Sequence, residues 1–170
     1  YPAGYYASQI PVDARLTLPA GWQWASALDS APAAGAQLAF KRVDLDTLAD
    51  SPVYAGRYFA SVELDPGSTA PVRLNLFADQ ARLLVMQPAQ LEAHRALVRQ
   101  ALRLFGARHY AHYDFLCSLS DQVQQHGHEH GQSSEIGTVP GYFTEWEHTA
   151  EERSLLPHEI THSWNGKFRR

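Results

Sequence analysis

A chain of 170 residues that is 45% hydrophobic and 19% charged can bury a core, as one ordinary domain or as two small pieces of a larger one, which excludes a disordered tail. A formal net charge of -4 leaves no basic surplus for phosphate contacts, so no nucleic-acid partner is expected. No apolar run approaches the roughly 18 residues of a membrane span, no basic-then-apolar leader opens the chain, and a single cysteine, Cys117, excludes an internal disulfide. The chain starts at Tyr1 rather than at a methionine, so it reads as a processed or excised segment, with the compartment and the oligomeric state left open.

All nine histidines lie after residue 93. This shift predicts two parts, a β-rich domain over 1–88 and a second domain over 89–170, in an α+β fold. In the first part, Val12 to Leu18 alternates as one strand with a buried face. Ser30 to Gly35, small and Pro/Gly-containing, predicts a loop. Strands are expected over Leu38–Val43, Gly56–Leu64 and Val72–Phe77, rich in aromatic and β-branched residues. Asp44 to Ala49 fits a helical turn, and Asp65-Pro66-Gly67 a tight turn in which Pro presets φ and Gly supplies the positive φ.

The second part opens at Gln87-Pro88 with apolar residues at helical spacing: Leu91, Leu97, Val98, Ala101, Leu102 and Phe105. Arg95, Arg99 and Arg103 lie on another face, and Gly106 is the stop. A strand is expected from Tyr110 to Leu119, with Cys117 as a small buried hydrophobe in it. A polar stretch runs from Ser120 to Thr138, and a short helix from Leu155 to Asn165. His109 and His112 read as packing or surface residues. Trp22, Trp24, Tyr5 and Tyr6 read as core and sheet packing rather than a carbohydrate or peptide platform.

Residues 158–162 carry the chemistry, as His158-Glu159-Ile160-Thr161-His162. On a helix, positions i and i+4 share one face, so both imidazoles can reach a single Zn²⁺ at about 2.0–2.1 Å. Glu159 sits beside them, placed to accept a proton from water there rather than to ligate the ion. The opposing reading is an ordinary amphipathic helix with two surface histidines. Pro157 bears on the choice, because inside a helix it removes a hydrogen bond at a cost of about 3 kcal/mol. Thr149 as N-cap, with Glu152 completing a capping box, puts Pro157 in mid-helix. Ser154 as N-cap puts it in the first turn, where no N–H is needed, and is preferred.

The segment His158-Glu159-Ile160-Thr161-His162-Ser163-Trp164-Asn165-Gly166-Lys167 resembles the glycyl aminopeptidase family of zinc metallopeptidases, whose members usually carry a PDZ domain downstream. Ser163, Trp164, Asn165 and Lys167 match the family's extension of the motif. Upstream, Gly127-His128-Glu129-His130 followed by Ser133 is similar to its G-L-E-H segment, and Asp50-Ser51-Pro52-Val53 fits its layout, as do Phe105-Gly106 and His112 to Phe115. The resemblance implies a β-rich N-terminal domain followed by the first part of a thermolysin-like catalytic domain. It further implies one catalytic Zn²⁺ held by His158 and His162, Glu159 as general base, and a peptide substrate bound by Glu129 and His130 on an edge strand. Glu129 would hold the substrate's free α-amine. The family's third ligand, a glutamate on a later helix, is expected beyond Arg170. The chain therefore reads as part of a larger aminopeptidase, inactive alone, with Phe168-Arg169-Arg170 marking a boundary within it.

Three other readings stand beside this one. An endopeptidase of the same metal class follows if Glu129 points away from the metal. A degenerate or non-catalytic module would bind peptides or partners without hydrolysis. His126, His128 and His130, alternating on a strand, would face one way and could chelate a metal by themselves.

Overall fold

The computed structural model describes residues 2–33 and 37–168. Positions 34 and 35 of the expected loop, and Arg169-Arg170 of the expected boundary, lie outside the described residues.

The alternation over Val12–Leu18 does not form one strand. It is divided between β1 (Pro11–Val12) and β2 (Arg15–Thr17), because the two halves pair with different partners. The same holds for Leu38–Val43, divided into β5 (Gln37–Phe40) and β6 (Val43–Asp44). Here β1 pairs with β6, and β2 pairs with β5, which also pairs with β4 (Ser30–Ala31), a short strand at the start of the expected loop. One alternating run thus serves two small sheets, and side-chain period alone cannot show where it changes partner. Asp44 caps α1 (Leu45–Ala49), accepting a hydrogen bond from the Thr47 N–H at 2.8 Å. A further antiparallel pair joins β3 (Gln23–Ser26) to β7 (Val53–Gly56).

The largest sheet has five strands: β8 (Tyr58–Glu63), β9 (Val72–Ala78), β10 (Tyr113–Leu119), β11 (His126–Glu129) and β12 (Ser133–Thr138), in the order β11-β12-β10-β9-β8. β9, β10 and β12 are parallel, while β8 and β11 run antiparallel at the two edges. The β9-to-β10 crossover is made by α2 (Pro88–Phe105), which opens with Pro at its first position and ends on Gly106 at φ 73°. The expected division at residue 88 does not coincide with a sheet boundary, since β8 and β9 lie before it and β9 pairs with β10 after it.

This sheet is covered on both faces, which explains why β10 is buried at all seven positions. On one face Tyr113, Phe115, Cys117 and Leu119 pack with Ile136, with Val98 and Ala101 of α2, and with Leu156 and Ile160 of α3 (Leu155–Trp164). Leu116 and Phe77 meet Ala25, Tyr54 and Phe59 on the other, under the β3–β7 pair. The polar stretch expected over Ser120–Thr138 contains β11 and the inner strand β12. Ser133-Ser134 and Gly137-Thr138 have no apolar period, and burial comes from position in the sheet.

Trp24 packs edge-on against Phe40 at 5.3 Å, as expected of a packing residue. Trp22, Tyr5 and Tyr6 do not: all three are exposed. Cys117 is buried and free, as expected. No helix among the described residues is long and apolar enough to cross a membrane.

Candidate metal centre

The α3 helix begins at Leu155, and Pro157 is its third residue, where a missing N–H leaves nothing unsatisfied. The preferred placement holds, but the device differs from a cap. Ser154 is itself helical and ends a 3₁₀ turn (Glu151–Ser154), its hydroxyl donating to the Glu151 carbonyl at 2.8 Å. Thr149 is no cap either, since its hydroxyl donates to the Tyr142 carbonyl at 3.1 Å.

The helix buries Leu156, Ile160, Ser163 and Trp164. Its C-terminal end is fixed by the Trp164 indole, which donates to the Ala107 carbonyl at 2.9 Å and stacks on Phe105 at 4.6 Å. His109, expected as a packing residue, lies edge-on to the same indole at 5.2 Å. This anchoring leaves His158 and His162 on the open side, one turn apart. Their Nε2 atoms are 3.2 Å apart. Two nitrogens on a tetrahedral zinc at bonds of about 2.0–2.1 Å stand about 3.3 Å apart, so the pair has the span the ion needs. The His162 Nδ1 faces the Asn165 carbonyl at 3.2 Å, and donating there leaves Nε2 as a lone pair. The His158 Nε2 that faces it serves either as an N–H donor, making an ordinary hydrogen bond, or as a second lone pair, making the two rings a chelate for a cation. The donor set thus fits a zinc ion.

Glu159 points back beneath the pair, 4% exposed, with Oε1 4.0 Å from the His158 Nε2. The ligand atoms of His158, Glu159 and His162 all lie within 4.8 Å of one another. Burial pushes the Glu159 carboxyl above its usual range. His158, His162 and His128 pull against that, and the Glu129 charge adds to it. A carboxylate raised in this way is a better proton acceptor near neutral pH.

The edge strand β11 backs onto this carboxylate. A Cβ on Gly127 would overlap the Glu159 Oε1 and lie 2.6 Å from its Cδ, so glycine is what lets the strand approach. Glu129, two residues on, shares that face of the strand. It is half-buried and held below its usual range, first by its own backbone N–H, against desolvation, and then by His162, Lys167 and His128.

His126, His128 and His130 alternate onto the opposite face, as expected, but they do not converge on a common point. His126 lies over Gly137, its Nδ1 at 2.7 Å from the Gln124 carbonyl. The His130 ring stacks on His128, and its two nitrogens face Asp50 Oδ1 at 3.3 Å and Glu135 Oε2 at 3.2 Å. Among the described residues the one group of three metal-ligating side chains is His158, Glu159 and His162. The expected substrate contact of His130 is therefore not available, because the ring is buried and both nitrogens are engaged. Burial alone would lower its pKa, but the Asp50 and Glu135 carboxylates outweigh that and raise it.

Glu135 carried no signal in the sequence, and Ser163 and Asp50 entered only as matches to the family's pattern, without a role; all three support the site from a distance. The Ser163 hydroxyl donates to the Gly131 carbonyl at 3.1 Å and meets the His109 Nε2 at 2.9 Å. Asp50 lies eighty residues from its partner His130. No spacing rule reaches so far.

A cavity of about 610 Å³ lies on the far face of the sheet, lined by Trp22, Tyr54, Phe77, Ser118, His126 and Glu135 among others, and does not include the histidine pair.

Residues 1–57 match the family described as Peptidase M61 N-terminal domain, a match that ends where β8 and the five-stranded sheet begin. A search of the curated proteins gave no match. Among solved structures, an aminopeptidase N family protein from Idiomarina loihiensis superposes with a TM-score of 0.68 at 20% identity, over 94% of this chain and 28% of that one. An M1 zinc metallopeptidase from Deinococcus radiodurans gives 0.53 at 16% identity, over 89% of this chain and 33% of that one. At these identities the likeness is one of fold, and it bears out the α+β architecture with a β-rich N-terminal part. This chain spans about a third or less of the length of those structures. The family match covers residues 1–57 alone, the structural matches are matches of fold, and neither extends to substrate or activity.

Proposed function

We propose that the chain belongs to a zinc-dependent aminopeptidase that removes N-terminal residues, glycine or alanine among them, from peptides. The observation that carries the reading is the pair of facing imidazole nitrogens of His158 and His162 at 3.2 Å, with the buried Glu159 carboxylate between helix and edge strand.

His158 and His162 would hold the ion, and the third protein ligand of a catalytic zinc site would come from residues outside this chain. When bound, the metal supplies Lewis acidity toward the scissile carbonyl. Glu159 takes a proton from the attacking water and returns it to the departing amine, a role for which its burial and raised basicity suit it. Among the described residues the β11 strand has one unpaired edge, so an extended peptide can lie along it through backbone hydrogen bonds. Glu129 meets the peptide's free ammonium group there, an ion pair that would favour removal of terminal residues over internal cleavage.

Zinc titration of the chain, with amino-acid release measured for a version extended to include the third ligand, tests this. We expect one zinc per chain, lost in the His158→Ala/His162→Ala double variant, and chelator-sensitive release from peptides with a free N-terminus but not from acetylated ones. Unchanged zinc binding in the double variant would sink the assignment, and cleavage of acetylated peptides would favour an endopeptidase. A second reading, a peptide-binding module without hydrolysis, draws on the fact that only two imidazoles and Glu159 converge among the described residues. Peptide binding without stoichiometric zinc or amino-acid release would establish that one instead.

A further inference from the structure

Asp50 follows α1, far in sequence from the histidine pair, yet three donors from two segments of the site converge on its carboxylate. The Gly131 N–H donates to Oδ2 at 2.7 Å, the Lys167 ammonium meets Oδ1 at 2.9 Å, and the His130 Nδ1 lies 3.3 Å from the same oxygen. The turn has come close to make these contacts, since a Cβ on Gly131 would stand 3.1 Å from Oδ2. Gly131 is gripped on its other side too, its carbonyl accepting from the Ser163 hydroxyl, next to His162. One residue in the turn after β11 is thus tied both to the N-terminal region and to the helix that carries the histidines.

We propose that Asp50 is a positioning residue for this site: it clasps the turn that ends the edge strand and occupies the Lys167 ammonium, leaving the Glu129 carboxylate free for the substrate's ammonium group. The inference rests on the aminopeptidase reading for its consequence, though not for the clasp itself.

The chemistry behind it is competition between cations. Lys167 follows α3 closely, its backbone N–H donating to the His162 carbonyl at 3.0 Å, and its positive charge helps to hold the Glu129 carboxyl below its usual range. A lysine released from Asp50 has a second carboxylate within its electrostatic reach, on the face where a peptide would dock. An ammonium held by Glu129 from within the protein competes with one brought by the substrate. Asp50 prevents this by offering Lys167 a partly buried carboxylate that also accepts from His130 and Gly131. That acceptor is well stabilised: burial alone would raise the Asp50 carboxyl, yet the three donors outweigh it and hold it far below the usual range.

The test is a double-mutant cycle in the zinc-loaded protein. Asp50→Asn keeps an oxygen for the Gly131 N–H but removes the charge that holds Lys167. It should raise KM for free-amine peptides about tenfold with kcat changed by less than about twofold, the sign of lost ground-state binding. Adding Lys167→Met to that variant should return KM to within about twofold of the parent, because the competing ammonium is gone. An unchanged KM in Asp50→Asn, or a double variant no better than the single one, overturns the competition. Amide exchange tests the clasp whatever the enzyme does. Asp50→Ala should speed exchange at His130 and Gly131 at least about tenfold while leaving α2 unchanged, and equal exchange overturns the clasp. A parent protein that releases no amino acid while Gly131 exchange still responds would place the failure with the aminopeptidase reading alone.

Discussion

The two halves of this molecule are stabilised in different ways. Residues 2–57 form two-stranded and three-stranded pieces with short strands, exposed aromatics, and ion pairs such as Arg42–Asp13 and Lys41–Asp29 at the surface. Residues 58–168 form a five-stranded sheet with two helices on one face and a continuous apolar core. The histidine pair belongs to the second half, on a helix anchored in that core. Among the described residues the first half contributes no candidate ligand, but through Asp50 it holds the strand that faces the site. Rigid packing places the candidate ligands, and a polar clasp from a lightly packed region aligns the strand beside them.

This contrast can be broken by experiment. The largest effect is expected at Glu159, where Glu159→Gln should lower peptide hydrolysis by about 10²–10⁴-fold while zinc binding persists. Loss of zinc together with activity would show that Glu159 ligates instead. Next comes the core. Phe115→Ala should cost about 3–5 kcal/mol in urea unfolding, and Phe40→Ala, outside both buried clusters, should cost less. Equal costs would mean that the two halves share one cooperative core. Gly127→Ala tests the strand's approach to Glu159. The overlapping atoms belong to the flexible end of a side chain, so the melting temperature should shift little. Hydrolysis should still fall about 10²-fold, because a displaced catalytic group is costly.

Smaller effects sharpen the picture. Gly106→Ala, at φ 73° behind α2, should cost about 1 kcal/mol without touching zinc affinity. The pH dependence of the clasp should be smallest. The folded pKa of His130 is raised, so its contribution is fully present below the unfolded value of about 6.5 and is lost as pH rises through the folded value. Asp50 behaves in the opposite sense. Its folded value is depressed, so its contribution is present above about 3.9 and is lost as pH falls through the folded value. The stability difference between the parent and His130→Gln should therefore shrink as denaturation is repeated from pH 6 to pH 9. A difference that grows over that range would show that His130 is neutral in the fold.

Much of this was legible in the sequence, and the reason differs from place to place. The α2 helix could be read nearly to its ends, because Pro88 and Gly106 act locally and the apolar residues between them keep one period. The His158–His162 spacing is local in the same sense: any helix through those residues puts both rings on one side. Asp44 and the Asp65-Pro66-Gly67 turn, with Gly67 at φ 81°, also act within a few residues of themselves. The resemblance to the peptidase family supplied the edge-strand role of Gly127 to His130, which no period in that polar run would have indicated.

Other features depended on partners that are distant along the chain. Val12 to Leu18 alternates cleanly but is divided between two sheets, because pairing is decided by which strand lies alongside. β12 is an inner strand whose one apolar residue is Ile136 for the same reason: it is enclosed by neighbours and needs no apolar period of its own. His130 could be read as a site residue, and only the folded chain placed it between Asp50 and Glu135. Local chemistry determined the caps, the turns and the one-turn spacing of the imidazoles. Tertiary structure decided where strands change partner, which histidines stay open to a ligand, and which carboxylate holds Lys167, because those outcomes depend on burial and on contacts between residues that sequence separation keeps apart.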